Sequence, residues 1–169
     1  ASVSVLANHA RAEVRVADIG VNFDFEPNLS IFHKKVKKGT ANFTKGPAMS
    51  RDEAVASIDA GISIVDALVA ENRPDMIGTG DMGIGNTTPS TAIIAVFSKL
   101  PVADLTGRGT GVDDAGLALK IKVIEQGIEL NRPDSSDPID VLSKVGGLEI
   151  GALAGLVIGA AAHGIPVVC

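Results

Sequence analysis

Two glycine-rich segments, each between a short apolar run and a helix-like segment, constrain this chain more than any other feature. The first covers residues 78–89 (GTGDMGIGNTTP) and the second residues 107–111 (GRGTG). Glycine lets the backbone bend with its amide groups exposed, and a following helix adds free N–H groups of its own. Such a turn can hold a phosphate. Two of them in one chain predict a phosphorylated ligand that lies across both.

The composition predicts a single folded domain that covers residues 1–169. Apolar residues make up 46% of the chain and aromatic residues only 3%, so the core must consist mainly of aliphatic side chains. The formal net charge is −5, which argues against a nucleic-acid partner, and the basic run 33–38 is interpreted as a solvated loop. A small anionic ligand is compatible with this charge, because local donors determine a binding site.

The cysteine content and the most apolar segment indicate the cellular compartment and whether the chain spans a membrane. Cys169 is the single cysteine, which excludes an intrachain disulfide and favours a cytoplasmic location. Segment 146–169 is apolar but contains a glutamate, a histidine and a proline, so we predict a buried helix followed by a strand and no membrane span. Gly151, Gly155 and Gly159 recur every four residues, which predicts a helix face that another backbone approaches closely.

Short strand-like runs alternate with longer helix-like segments along the chain. We predict strands over 13–19, 75–78, 102–105 and 165–169. We predict helices over 1–10, 51–72, 89–99, 114–130, 138–144 and 148–162. Alternation of this kind is typical of parallel strands joined by helices. The predicted fold class is therefore α/β, a three-layer α/β/α sandwich with a mainly parallel Rossmann-like sheet.

Three of the predicted helices have recognisable start signals. Ser50 and Glu53 form the S-x-x-E pattern of a capping box. Thr88 followed by Pro89 predicts an N-cap threonine with proline at the first helical position. Asp113 is expected to cap the helix after the second glycine-rich segment.

A dinucleotide-binding module is the first alternative that the glycine pattern allows. Gly78, Gly80 and Gly83 match the spacing G-x-G-x-x-G, and Asp104 at the end of the next predicted strand could bind a ribose. The match is weak because the chain has 19 glycines. A helix start at Thr88 also lies later than the fingerprint requires.

The longer string over residues 80–89 (GDMGIGNTTP) resembles the signature of the nicotinate-nucleotide–dimethylbenzimidazole phosphoribosyltransferase family. The resemblance continues, in order, through 39–43 (GTANF), 46–51 (GPAMSR), 107–114 (GRGTGVDD) and 146–150 (GGLEI). It covers essentially the whole chain. It implies a parallel α/β core of an enzyme that is larger than these 169 residues, so we expect the chain to be a fragment.

The resemblance implies a reaction and its partners. The family transfers the phosphoribosyl group of nicotinate mononucleotide to a nitrogen of 5,6-dimethylbenzimidazole, which releases nicotinate and gives the α product used in cobalamin synthesis. It implies a homodimer, no cofactor and no metal ion, because the leaving group is a pyridine carboxylate and not pyrophosphate. His9, His33 and His163 also lack metal-ligand spacing.

The resemblance also implies the residues of the site. The turn expected to wrap the nucleotide comprises Met82, Gly83, Gly85, Asn86 and Thr87. The residues expected to face the phosphate are Gly109, Thr110, Gly111 and Lys120. Helical side chains lean toward the helix N-terminus, so Lys120 should point back toward the second glycine-rich segment. Without the resemblance, Lys120 would be interpreted as an ordinary solvated lysine.

Asp81 stands where the family usually has glutamate, and it is the candidate catalytic residue in this chain. Its carboxylate could stabilise an oxocarbenium-like transition state, or it could form the turn. The family's general-base glutamate lies in a C-terminal glycine-rich loop that has no counterpart in this sequence. We therefore expect no transferase activity from these 169 residues alone. A non-catalytic subunit that kept the fold is the second alternative.

Overall fold

The computed structural model describes residues 2–109 and 111–169. The helices in this part of the chain are α1 Ser2–Ala10, α2 Arg51–Asn72, α3 Thr87–Ser98, α4 Val102–Leu105, α5 Asp114–Asn131, α6 Pro138–Val145 and α7 Leu148–Ala162. The strands are β1 Ala17–Asp18, β2 Phe32–His33, β3 Ile77–Gly78 and β4 Val167–Val168. None of these helices is long and apolar enough to cross a membrane.

The strands pair in two separate parallel sheets of two strands each. Strand β1 pairs with β2, with Ala17 opposite Phe32. Strand β3 pairs with β4, with Ile77 opposite Val167. The α/β class with parallel pairing is confirmed. Within the described residues, however, the strands do not form the one continuous Rossmann-like sheet that the alternation predicts.

Helices α2 and α7 pack with their backbones in close contact. A Cβ atom at Gly61 of α2 would overlap the carbonyl oxygen of Ala152 in α7. In the opposite direction, a Cβ atom at Gly155 would overlap the carbonyl oxygen of Ile58. The glycine stripe of α7 therefore serves helix packing, as its four-residue spacing predicts.

The core is aliphatic and continuous. Three groups of buried side chains surround α2, α5 and the β3–β4 pair, and the fully buried members include Val65, Ile124 and Val141. Ile93 packs against both the first and the second group, and Leu68 packs against both the first and the third. These two side chains join the groups into one core.

The structure differs from the sequence-based elements at three places. Segment 102–105 is helix α4, because Pro101 precedes it and the N–H of Asp104 bonds the Pro101 carbonyl at 3.1 Å. Asp104 therefore does not end a strand, and the dinucleotide-binding alternative loses its ribose-binding acid. Of the strand predicted over 13–19, only Ala17–Asp18 pairs, and the paired strand Phe32–His33 was not predicted.

The start of α3 also differs from the predicted one. The helix begins at Thr87 with Asn86 at the N-cap, so Thr88 is not the cap and Pro89 is the third helical residue. The other start signals are confirmed. Ser50 and Glu53 form the complete capping box of α2, and the Asp113 carboxylate accepts from the backbone N–H of Gly116 at 2.8 Å.

The basic run 33–38 contains no buried residue, in agreement with the interpretation as a solvated loop, but ion pairs also hold it against acidic side chains. The Lys35 ammonium lies 2.7 Å from the buried Asp18 carboxylate and also donates to the carbonyls of Val21 and Phe23. The other pairs are Lys37 with Glu53 and Lys38 with Asp24.

Candidate functional site

The first glycine-rich segment leaves the end of β3 and reaches the start of α3. Gly83 and Gly85 have φ of +72° and +77°, a left-handed conformation that favours glycine. The carboxylate of Asp81 accepts a hydrogen bond from the N–H of Gly83, which closes the turn. This contact is the one expected if the Asp81 side chain forms the turn, which was the second of its two predicted roles. The Met82 side chain, between Asp81 and Gly83, is 86% exposed.

Lys120 connects the two glycine-rich segments. Its ammonium donates to the Thr87 hydroxyl at 2.8 Å and to the carbonyl oxygen of Gly107 at 3.2 Å. A Cβ atom at Gly109 would lie 3.1 Å from the Thr87 hydroxyl oxygen and 3.5 Å from the Lys120 nitrogen. The predicted direction of the Lys120 side chain is therefore confirmed. Both segments and the ammonium meet at the N-terminus of α3.

Arg108, the second residue of the second glycine-rich segment, bonds residues that lie just after its end. Its guanidinium pairs with the Asp114 carboxylate and donates to the carbonyl oxygen of Val112 at 3.0 Å. Gly109 and Gly111 have φ of +57° and +105°. Thr110, which was predicted to face the phosphate, lies outside the described residues.

Asn86 has protein partners at both ends of its side-chain amide. Its nitrogen donates to the Glu149 carboxylate at 2.8 Å, and its oxygen accepts from the Ser90 hydroxyl at 3.0 Å. The side chain of Asn86 consequently makes no capping bond to the first turn of α3. In the sequence, Glu149 stands out only as part of the stretch 146–150 (GGLEI). Its contact joins residues 63 apart, which no local spacing could have indicated.

An open cavity of about 260 Å³ adjoins the first glycine-rich segment. It gathers residues from three of the stretches on which the resemblance depends, together with one residue of α5. Its lining residues are Thr40, Ala41, Asn42, Phe43, Gly85, Thr88, Pro89, Val123 and Gly146. The volume is slightly below the usual range for small-molecule pockets. Stretches far apart in sequence are thus assembled around one opening.

Two of the three histidines have ordinary protein contacts. The imidazole of His163 lies 2.7 Å from the Asp66 carboxylate, and that of His33 lies 3.3 Å from the carbonyl oxygen of Leu29. Among residues 2–109 and 111–169, no group of three or more histidine, cysteine or acidic side chains is arranged to hold a metal ion.

Comparison with known proteins gives a consistent result. The sequence model described as phosphoribosyltransferase matches residues 1–169. A nicotinate-nucleotide–dimethylbenzimidazole phosphoribosyltransferase from Geotalea uraniireducens is 61% identical over 99% of this chain and 47% of its own length. The protein of the same name from Citrifermentans bemidjiense is 59% identical over 99% of this chain and 48% of its own length.

Solved structures agree with the sequence relatives. The crystal structure of CobT from Thermus thermophilus superposes with a TM-score of 0.91 and 35% identity, over 99% of this chain and 50% of that one. The chain thus spans about half the length of the proteins that it matches. It belongs to the phosphoribosyltransferase family, and the two relatives above are named nicotinate-nucleotide–dimethylbenzimidazole phosphoribosyltransferases.

Proposed function

We propose that this chain forms the donor-binding part of an enzyme that transfers the phosphoribosyl group from nicotinate mononucleotide to 5,6-dimethylbenzimidazole, a step in cobalamin lower-ligand synthesis. The observation that carries the proposal is the position of Lys120, whose ammonium bonds Thr87 in one glycine-rich segment and Gly107 in the other. The names of the relatives supply the two substrates.

The 5′-phosphate of the donor would bind where these groups meet. The Asn86 side chain does not cap α3, so the first N–H groups of that helix are available to an anion. Gly109, Thr110 and Gly111 would contribute backbone N–H groups from the other side. The phosphate would accept from Lys120 in place of the Thr87 hydroxyl, since a charged acceptor forms the stronger bond.

The remainder of the donor would lie along the first glycine-rich segment, in contact with Met82, Gly83, Gly85 and the Asn86 backbone. The cavity beside Gly85 adjoins this position and could receive the ribose. A base nitrogen then forms a bond to the anomeric carbon while the bond from that carbon to the nicotinate nitrogen breaks, and nicotinate leaves with the electron pair. The second ring nitrogen of the base would give its proton to the family's general-base glutamate, which has no counterpart in these residues. The Asp81 carboxylate would stabilise the positive charge that develops on the ribose.

Further features belong to the same proposal. The 169 residues would fold as one domain, supported by the continuous core through Ile93 and Leu68. The two parallel strand pairs would belong to a three-layer α/β/α sandwich of Rossmann-like type. The enzyme would act in the cytoplasm as a homodimer. It would need no metal ion and no cofactor, because the leaving group carries no phosphate.

Binding of the donor tests the proposal directly. Isothermal titration calorimetry should give tighter binding of nicotinate mononucleotide than of nicotinate riboside, which lacks the phosphate, and than of NAD. A difference of about tenfold or more is expected for loss of the charged contacts. Equal affinity for the mononucleotide and the riboside would contradict a phosphate site. Preference for NAD would favour the dinucleotide-binding alternative.

A further inference from the structure

The amide of Asn86 is oriented by two contacts of different chemistry. A carboxylate oxygen of Glu149 can only accept, so it requires the amide nitrogen of Asn86, 2.8 Å away. The Ser90 hydroxyl donates to the amide oxygen at 3.0 Å. Asn86 itself lies between Gly85, which lines the cavity, and Thr87, which bonds Lys120. The fixed amide therefore holds the chain at the point where the cavity and the lysine site meet.

Glu149 is placed for this contact by the start of α7. It lies in the first turn of that helix, whose N-cap is Gly147. A Cβ atom at Gly147 would overlap the carboxylate of Glu149, so only glycine leaves room for this side-chain position. Neighbouring Gly146 lines the cavity. Among the described residues, no lysine, arginine or histidine lies within ion-pair distance of Glu149, so the carboxylate faces an amide and not a cation.

We propose that Glu149 is a positioning residue for donor binding. Through Asn86 it fixes the backbone between Gly85 and Thr87, so that the N–H groups at the start of α3 and the Thr87 hydroxyl face the phosphate. The inference rests on the proposed function, because it assigns Glu149 to the same site. It explains why helix α7, which otherwise packs on α2, begins beside the glycine-rich segment.

A simpler role for Glu149 is stabilisation of α7, because an acidic side chain in the first turn interacts favourably with the helix dipole. The two roles predict different results for Glu149→Gln and Glu149→Ala. Both variants lose the negative charge, but glutamine keeps an oxygen that accepts from Asn86 at nearly the same position. A positioning role predicts that glutamine preserves function and alanine does not. A dipole role predicts that the two variants behave alike.

The experiment compares both variants by calorimetric titration with nicotinate mononucleotide and by hydrogen exchange of the amides in residues 90–92 at the start of α3, where the Ser90 N–H bonds the Asn86 carbonyl at 3.1 Å. Glu149→Ala should speed exchange in this segment and weaken binding about tenfold, whereas Glu149→Gln should stay within about threefold of the wild type. Equal losses in the two variants, or no change in Glu149→Ala, would overturn the inference.

A second pair of variants serves if Glu149→Ala fails to fold. Asn86→Asp places two carboxylates against each other and should speed exchange in residues 90–92. In the double variant with Glu149→Gln, the new amide can donate to the new carboxylate, and the pair has the same net charge as in the wild type. Exchange should therefore return to the wild-type rate. Lack of this rescue overturns the inference. Exchange is measured without ligand, so failure of the wild type to prefer the mononucleotide would contradict the proposed function alone.

Discussion

The Lys120 ammonium donates to the Thr87 hydroxyl at 2.8 Å, and this bond joins the middle of α5 to the first residue of α3. The two residues are 33 positions apart: Thr87 belongs to the first glycine-rich segment, and Lys120 follows the second. Because the same ammonium also bonds the Gly107 carbonyl, its position relative to both segments is fixed before any ligand arrives. A phosphate that enters between them meets a cation already in place, so little reorganisation is needed.

Replacement of Lys120 should weaken phosphate binding specifically. For Lys120→Met we expect the affinity for nicotinate mononucleotide to fall about 10- to 100-fold, the range for loss of a hydrogen bond to a charged group. Affinity for nicotinate riboside should hardly change. Lys122→Met is the matched control, because Lys122 lies on the same helix two residues further on and is exposed. Calorimetry that gave equal losses for both variants would refute a specific role.

The two glycines on either side of Arg108 provide a matched test of the second segment. Gly109 has φ of +57°, and a Cβ atom there would approach the Thr87 hydroxyl at 3.1 Å, so Gly109→Ala should cost about 1 kcal/mol in folding free energy and weaken donor binding. At Gly107 a Cβ atom would meet no other atom within 4 Å, and Gly107→Ala should bind normally. Urea unfolding and titration of both variants measure the difference. Normal binding by Gly109→Ala would exclude a close approach of ligand there.

The turn-forming role of Asp81 can be separated from a need for its charge in donor binding. Asp81→Asn keeps an oxygen that accepts from the Gly83 N–H but has no charge, whereas Asp81→Ala loses both. If the carboxylate forms the turn, the asparagine variant should bind nicotinate mononucleotide within about threefold of the wild type and the alanine variant about tenfold more weakly. Equal and large losses in both variants would show that the charge itself is needed.

Long elements with several consistent signals could be predicted from the sequence. The bounds of α7 were predicted correctly because its apolar run is long and the residues Gly146 and Gly147 precede it. Segment 102–105 was not, because four residues are too few to distinguish helical from strand periodicity. The predicted start of α3 was wrong. Asn86 occupies the N-cap position, but its side chain makes no capping bond and donates to Glu149 instead.

The candidate site was only partly predictable, because some of its contacts follow from local helix geometry and others from the tertiary fold. The direction of Lys120 follows from helix geometry, so the sequence sufficed. The Asn86–Glu149 contact depends on where the start of α7 lies relative to the start of α3, and no local pattern carries that information. The parallel pairing of β3 with β4 likewise joins segments about 90 residues apart. The sequence predicted parallel strands but not which strands pair with each other.

The close packing of α2 and α7 predicts a large effect at Gly155. A Cβ atom there would overlap the Ile58 carbonyl oxygen, so Gly155→Ala must separate the two helices. We expect a loss of about 1–3 kcal/mol in the free energy of unfolding, typical of overpacking. The control Ala154→Ser changes the adjacent, exposed residue of the same helix. Thermal and urea unfolding would contradict the prediction if the two variants were equally stable.

The capping box of α2 makes stability depend on acidic pH. The backbone N–H of Ser50 donates to the Glu53 carboxylate and, together with Lys37, holds the pKa of Glu53 below its ordinary value. A carboxyl group whose pKa is lower in the folded state stabilises the fold above its unfolded pKa, about 4.3 for glutamate. That contribution is lost as the pH falls through the lower, folded pKa.

The variant Glu53→Gln should therefore change the pH profile and not only the stability. Glutamine still accepts from Ser50 but cannot titrate, so the difference in unfolding free energy between wild type and variant should shrink as the pH falls from about 6 to about 3. Urea unfolding across this range measures it. Asp52→Asn, on the neighbouring exposed residue of the same turn, controls for loss of an acidic charge near the helix N-terminus. If the difference in unfolding free energy between the wild type and Glu53→Gln did not change with pH, the pKa of Glu53 would be the same in the folded and unfolded states, and the prediction would be wrong.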